Sequence, residues 1–244
     1  MIHLTGDIHG LSGAHRLFYG YDPYLHKIKE GDYLIVLGDF GLVWNQKENL
    51  NEKYFLDEIN KRPWVTLFIE GNHENFDRLW SDEFETIEFG GHCAKKIRDK
   101  ILYLQRSCIY EIEGKKFLTI GGADSIDKKY RKAGISWWKQ EKIMPADITA
   151  AEQALAEHNN TVDYVLTHTC PHKVLKYCFP DSPEAYPDPS GRRLNKIMRI
   201  AKFKRWYFAH LHLNIKQDEE HPKFPYNFEG LYENIIPLGG EIEK

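Results

Sequence analysis

Five apolar runs in this chain each end on Asp, Asn or His, and that repetition constrains the fold more than any other feature. IHLT (2–5) leads into Gly6-Asp7-Ile8-His9-Gly10. YLIVL (33–37) leads into Gly38-Asp39-Phe40-Gly41, and WVTLFIE (64–70) into Gly71-Asn72-His73-Glu74. VDYVLT (162–167) ends on His168, and RWYF (205–208) on Ala209-His210-Leu211-His212. Short apolar runs closed by turn residues are the pattern of buried strands. In an open α/β sheet the carboxyl edge of such strands is where ligands bind. A chain of this kind is expected to bring polar donors from distant segments to one edge of its sheets.

The donor types narrow the chemistry. Asp7, His9, Asp39, Asn72, His168, His210 and His212 offer nitrogen and oxygen and no thiolate, a set suited to Mn, Fe, Zn or Ni. The i, i+2 spacing of Asp7/His9 and of His210/His212 puts each pair on one side of extended backbone. Seven donors are too many for one open site and suit two metals sharing a bridging carboxylate. Two divalent cations, two aspartates and one hydroxide sum to about +1, which favours an anionic substrate such as phosphate. Each segment alone also reads as a turn, a helix cap or a structural His. The joint occurrence at five strand ends carries the metal reading.

Strand and helix alternate in the first third, which predicts parallel strands in an α/β layer. Ser12 is expected to cap a helix reaching about Tyr19. Leu50, Tyr54, Phe55 and Ile59 predict the apolar face of a helix over 49–60. Residues 95–122 read as β-rich, with hairpin potential at Glu113-Gly114. Residues 147–158 predict a helix capped by Asp147 or Thr149; RRLNKIMRIAKF (192–203) predicts another, and the tail from Phe224 reads as β. CFPDSPEAYPDPSG (178–191) holds four prolines and reads as a loop. With Tyr186, Arg192 and Arg193, the 178–193 segment is either a lid over the metals or a surface excursion. No linker or repeat is visible, so residues 1–244 are expected to form a single domain.

Composition removes several classes. A hydrophobic content of 42% supports a sizeable core, and a net charge of −3 gives no general reason to bind DNA or anionic membrane. A local basic patch stays open. The four cysteines form no CxxC pair and read as reduced thiols. The start lacks a signal-peptide pattern, and no run of about 20 apolar residues exists. A cytoplasmic protein without a membrane segment is expected.

The segments GDIHG, GDFG, GNHE, LTH and AHLH follow the pattern D-x-H, G-D, G-N-H-[DE], H, G-H-x-H, over positions 7 to 212. In this the chain resembles the calcineurin-like metallophosphoesterase superfamily, most closely its small bacterial or phage members. The resemblance implies a four-layer α/β/β/α sandwich with two central mixed β-sheets. It implies that Asp7, His9 and His212 hold one metal, that Asn72, His168 and His210 hold the other, and that Asp39 bridges them. The cofactors would be two divalent or trivalent transition metal ions, Mn, Fe, Zn or Ni, with Mn favoured. The implied activity is hydrolysis of phosphoric ester bonds, mono- or diester, by in-line attack of a metal-bridging hydroxide. His73 would be the catalytic residue that stabilises or protonates the leaving oxygen. Glu74 is expected to orient its turn or a neighbouring ligand.

Two departures from the pattern stand out. Ala209 replaces the usual Gly. The protein serine/threonine phosphatases and symmetrical dinucleoside tetraphosphatases continue G-D into V-D-R-G; here the continuation is FGLVWNQ, without Arg, and the nearest Arg after GNHE is Arg78. That argues against a protein phosphatase. Arg131 and Asp124, in GGADSIDKKYR, are candidate substrate-binding residues, against the reading of a solvated charge run. Trp137-Trp138 either stack on a base or pack the core, with packing favoured. His3, His15, His26, His92, His158 and His221 read as non-ligands, and His172 as a group that could support His168. The expected partner is a phosphorylated small molecule or nucleotide. Nucleic acid is less favoured, and no membrane or obligate protein partner is implied. The alternatives are a nuclease or protein serine/threonine phosphatase on the same fold, or a catalytically silent metal-binding scaffold. Structural zinc is disfavoured because the set contains no cysteine.

Overall fold

The computed structural model describes residues 1–181, 188–217 and 224–239. The first half runs β1 (Ile2–Thr5), β2 (Tyr33–Leu37), α1 (Leu50–Asn60), β3 (Val65–Ile69), α2 (Phe76–Leu79), β4 (Glu85–Phe89), β5 (His92–Arg98) and β6 (Ile101–Leu104). The second runs β7 (Cys108–Ile112), β8 (Lys115–Ile120), α3 (Pro145–Glu157), β9 (Tyr164–Thr167), α4 (His172–Cys178), α5 (Pro189–Ile200), β10 (Arg205–Phe208), β11 (Ile215–Lys216), β12 (Phe228–Gly230) and β13 (Ile236–Pro237).

Two mixed sheets result. One has the order β13-β1-β2-β3-β6-β5-β4, parallel from β1 to β6 and antiparallel at both flanks. The other has the order β11-β12-β10-β9-β8-β7, parallel from β12 to β8 with antiparallel edges. Side-chain alternation sorts each strand's residues between two clusters. Leu34 and Val36 face outward to Leu56 and Ile59 of α1. Ile35 and Leu37 face inward, to a cluster shared with Phe117, Leu166 and Tyr207 of the other sheet. Val165, Trp206 and Phe208 face outward to Leu155 of α3 and Leu194 and Ile197 of α5. Helix, sheet, sheet and helix are thus stacked in four layers. The central strands read as unbroken apolar runs because both of their faces are covered.

Where expectation and structure differ, local hydrogen bonding decides. Ser12 caps no helix: its hydroxyl donates to the His9 carbonyl (2.8 Å), and only short 3-10 turns form at Gly10–Ser12 and Ala14–Leu17. On α1, Leu50 and Tyr54 are exposed and the inward face is Glu52, Leu56 and Ile59. Glu52 is drawn in by Arg78, at 2.7 Å. Asp147 serves α3 from its third position, accepting from the Met144 N–H (2.6 Å), while the Thr149 hydroxyl donates back to the Pro145 carbonyl (3.2 Å). Helix α5 begins at Pro189, inside the expected loop, because Asp188 accepts from the Gly191 N–H (2.7 Å). Arg192 and Arg193 therefore lie on a helix, and Arg193 donates to the Ile143 carbonyl (2.9 Å). Tyr186 and His221 fall outside the described residues. Strands β4 and β11 and helices α2 and α4 lie outside the elements expected from the sequence. The Glu113-Gly114 hairpin is present, with both residues at positive φ.

Arg106, on the link between the sheets, locks the site end of β3. Its buried guanidinium pairs with Glu70 and with Asp147 (3.1 Å), and donates to the carbonyls of Gln140 (3.1 Å) and Lys142 (3.0 Å). The four cysteines are free thiols. No helix among the described residues is long and apolar enough to cross a membrane.

Candidate metal centre

The five strand ends meet. Asp7 follows β1, Asp39 follows β2 and Asn72 follows β3, while His168 follows β9 and His210 follows β10. The centre therefore draws on both sheets. Three groups have their ligand atoms mutually within 4.8 Å and can hold a metal ion: Asp7-His9-His212, Asp7-Asp39-His168 and His9-Asp39-His73. Asp39 belongs to two of them. Its Oδ1 accepts from the His73 backbone N–H (2.7 Å) and lies 3.3 Å from His168 Nε2; its Oδ2 lies 3.6 Å from His9 Nδ1.

Backbone geometry makes the convergence possible. His9, Asp39, His210 and His212 have φ of 56°, 48°, 66° and 53°, the left-handed region that residues other than Gly rarely adopt. Such strain persists only where the surroundings fix it. Here the Ile8 and His9 N–H groups both donate to the Asp39 carbonyl (3.1 and 2.6 Å), and the His210 N–H donates to the Asp7 carboxylate (3.2 Å). Two glycines make room: a Cβ on Gly38 would lie 2.2 Å from His168 Nδ1, and one on Gly71 would lie 2.0 Å from Asp39 Oδ1. Ala209 is absent from the positive-φ residues, so Ala serves there as well as Gly; its N–H donates to the His168 carbonyl (2.8 Å).

The donor set fits a cation. His168 Nδ1–H donates to the Leu37 carbonyl (2.8 Å), which turns Nε2 towards Asn72 Oδ1 (3.1 Å) and Asp39 Oδ1 (3.3 Å). A neutral ring would aim its lone pair at two oxygens, an arrangement relieved only by a proton or a cation. Likewise His9 Nε2 and His212 Nε2 face one another at 2.9 Å. The titration pattern agrees. Burial alone would raise the Asp39 carboxyl, but the charge and hydrogen bond of His168 outweigh it and hold it well below its ordinary value. Burial opposes protonation of His168, yet Asp39 and Asp7 lift it to about 9. Burial raises Asp7 to about 6, and burial lowers His210 to about 3 and His9 to about 4. One imidazolium serves two buried carboxylates, so positive charge is in deficit.

Behind the donors lies a chain of hydrogen bonds that sequence reading did not find. Asn72 Nδ2 donates to Ser125 Oγ (3.0 Å), and Ser125 Oγ donates to Glu141 Oε2 (2.7 Å). The Ser125 N–H donates to Glu141 Oε1 (2.9 Å), and Glu141 is fully buried. This fixes which way the Asn72 amide points, with its oxygen towards His168. Sixteen residues separate Ser125 from Glu141, and no local pattern announces such a pair. Glu74 is also fully buried, accepts from the Gly41 N–H (3.1 Å), and sutures the GDFG turn to the GNHE turn. Burial and nearby Asp39 raise its carboxyl well above the usual range.

The other candidates are placed as follows. Arg131 Nη2 donates to His73 Nε2 (2.8 Å) and pairs with Asp127 (2.7 Å). Asp124 lines the same cavity, with Oδ2 accepting from the Ser190 N–H (2.9 Å) and hydroxyl (2.6 Å). Arg78 is buried and bound to Glu52 and Glu83. Trp138 packs in the core and donates to Asp77 (2.7 Å). His172 opens α4. His3 contacts Tyr24 and Asp32, His15 meets Tyr21 edge-on, His26 stacks on Tyr19, His92 meets Tyr110 edge-on, and His158 meets Lys116. Two cavities flank the centre and share His73 and His212: one of about 510 Å³ beside Arg131, the other of about 580 Å³ beside Trp44.

A two-sheet α/β/β/α sandwich with Asp and His donors gathered at its strand ends is the architecture of a metallophosphoesterase. The chain belongs to the calcineurin-like phosphoesterase family, whose pattern it matches over residues 1–214. TT1561 of Thermus thermophilus shares the fold at TM-score 0.50 and 12% identity, covering 95% of this chain and 89% of that one. The phosphopantetheinyl hydrolase PptH from Mycobacterium tuberculosis aligns at TM-score 0.46 and 15% identity, covering 95% of this chain and 89% of that one. No curated protein matches the chain.

Proposed function

We propose that residues 1–244 act as one dinuclear metal-dependent phosphoesterase on a phosphorylated small molecule or nucleotide. Asp7, His9 and His212 would hold one ion, Asn72, His168 and His210 the other, and Asp39 both. The observation that carries this reading is the clustering of Asp7, His9, Asp39, His168 and His212 beside a cavity lined by Asp39, Asn72, His210 and His212 together with His73 and Arg131. Two such ions would polarise a phosphoryl oxygen and make water nucleophilic near neutral pH.

The chain's own groups have separable tasks. Arg131 would bind a non-bridging phosphoryl oxygen, replacing the Arg that other family branches carry after G-D. A guanidinium only donates, so His73 Nε2 accepts from Arg131 and the His73 proton sits on Nδ1. When Arg131 turns to phosphate, His73 is released to face the leaving oxygen. Replacing His73 by Ala should keep metal and slow turnover by about 10²–10⁴-fold. Replacing His168 by Ala should lose both. Metal analysis beside bis-p-nitrophenyl phosphate and p-nitrophenyl phosphate hydrolysis checks this, and full turnover in both variants contradicts it.

One observation favours a nuclease as the second reading. Lys128, Lys129, Tyr130 and Lys132 are all exposed on the segment that carries Arg131. Cleavage of single-stranded nucleic acid that weakens steeply with salt would support it.

A further inference from the structure

The cavity beside Trp44 differs in chemistry from the one beside Arg131, although both open on the same centre. Its walls include Leu11, Ser12, Leu42, Trp44 and Asn45, and among the described residues no Lys or Arg lines it. Its one carboxylate, Glu52, is neutralised by Arg78 (2.7 Å) and further bound by Asn45 (3.2 Å). Among the described residues its lining offers no free Lys or Arg for a second phosphate and no unpaired carboxylate for an amine.

Trp44 is a fixed wall. Its ring lies nearly parallel to His73, at 24° and 6.3 Å between centroids, and Trp138 braces it edge-on at 5.4 Å. The Asn75 amide donates to the carbonyls of both Trp44 and Asn45 (3.0 Å each), which fixes the turn that carries the indole. A held aromatic face in a neutral cavity of about 580 Å³ has the size and polarity of a small-ligand pocket. Stacking on such a face accepts any planar ring.

We infer that the Trp44 cavity is a specificity pocket for a neutral planar ring on one ester arm of the substrate, the chemistry shared by nucleobases and simple aryl groups. The inference rests on the phosphoesterase reading, since His73 and His212 form part of the same wall. The Arg131 side takes the anionic part, and the Trp44 side takes the ring.

The test has a kinetic arm and a binding arm. Benzyl and cyclohexylmethyl esters of phosphate have similar size and alcohol acidity, and differ in planarity. Both are assayed as monoesters and as methyl diesters on Mn-loaded enzyme. The benzyl ester should be favoured in kcat/KM by about 5- to 100-fold, mainly through KM, and the ratio should fall towards one in Trp44→Ala but persist in part in Trp44→Phe. An equal ratio in wild type and Trp44→Ala overturns the inference. Binding of adenosine and of benzyl alcohol, followed by saturation-transfer NMR, needs no turnover and so separates this inference from the phosphoesterase reading. Binding lost in Trp44→Ala supports the pocket, with adenosine marking a nucleobase site and benzyl alcohol alone marking an aryl site. No binding of either ring to wild type overturns it, whatever the protein hydrolyses.

Discussion

Ser125 is the residue whose importance rests most on geometry and least on sequence. It donates to buried Glu141 and receives the Asn72 amide, so it fixes the orientation of a candidate metal donor. Loss of such a support typically costs about 10–100-fold in metal affinity. Ser125→Ala should weaken Mn binding by that order in a chelator competition, while Ser125→Thr, which keeps the hydroxyl, should retain most of it. Equal affinity in wild type and Ser125→Ala would remove Ser125 from the account. Asp7, Asp39 and His168 were legible because each follows an apolar run that names its own place in a sheet. Ser125 and Glu141 were not, because their partnership exists only after the connection from β8 to α3 has folded back on itself. Trp44 lies within FGLVWNQ, a segment with no periodic pattern to mark which of its side chains faces the centre.

At the level of elements, the strands were easier to read than the helix faces. Two-sided burial leaves an unbroken apolar signature on β2, β3 and β10. On α1 the signature misleads, because Leu50 and Tyr54 face solvent while Glu52 points inward to Arg78. The start of α5 was encoded by Asp188-Pro189, a cap followed by a proline at the first helical position, hidden in a segment that proline content marked as loop. Long-range ion pairs hold these elements in register. Arg106 ties Glu70, at the end of β3, to Asp147 on α3. Removing the guanidinium leaves Glu70, which is fully buried, without its cation. Arg106→Ala should therefore lower stability by about 3–5 kcal/mol in urea unfolding. A change within about 0.5 kcal/mol, as at an ordinary surface site, would show that the link is incidental.

For the whole molecule, fold and centre are expected to be separable in energy. Three apolar clusters stabilise the sandwich through contacts that do not involve the donors. Removing metal should leave the far-UV circular dichroism unchanged and lower the melting temperature. A ligand at about a thousand times its Kd adds about 4 kcal/mol to the stability of the native state. Collapse of the secondary structure on chelation would mean that the ions build the fold instead of occupying it. The four-layer architecture was legible through the family resemblance of the five strand-end segments, and the strand–helix alternation of the first third and the β-rich middle fit it. The substrate was not, because the two cavities arise from segments far apart in the chain.

The most direct test of the central claim is a Mn titration of metal-stripped protein, following bound metal and bis-p-nitrophenyl phosphate hydrolysis together, with Asp39→Asn beside wild type. The account predicts that hydrolysis rises with binding and saturates at two ions per chain, and that Asp39→Asn loses both. Full hydrolysis in the stripped protein, or an Asp39→Asn variant that binds two ions and turns over like wild type, would contradict it.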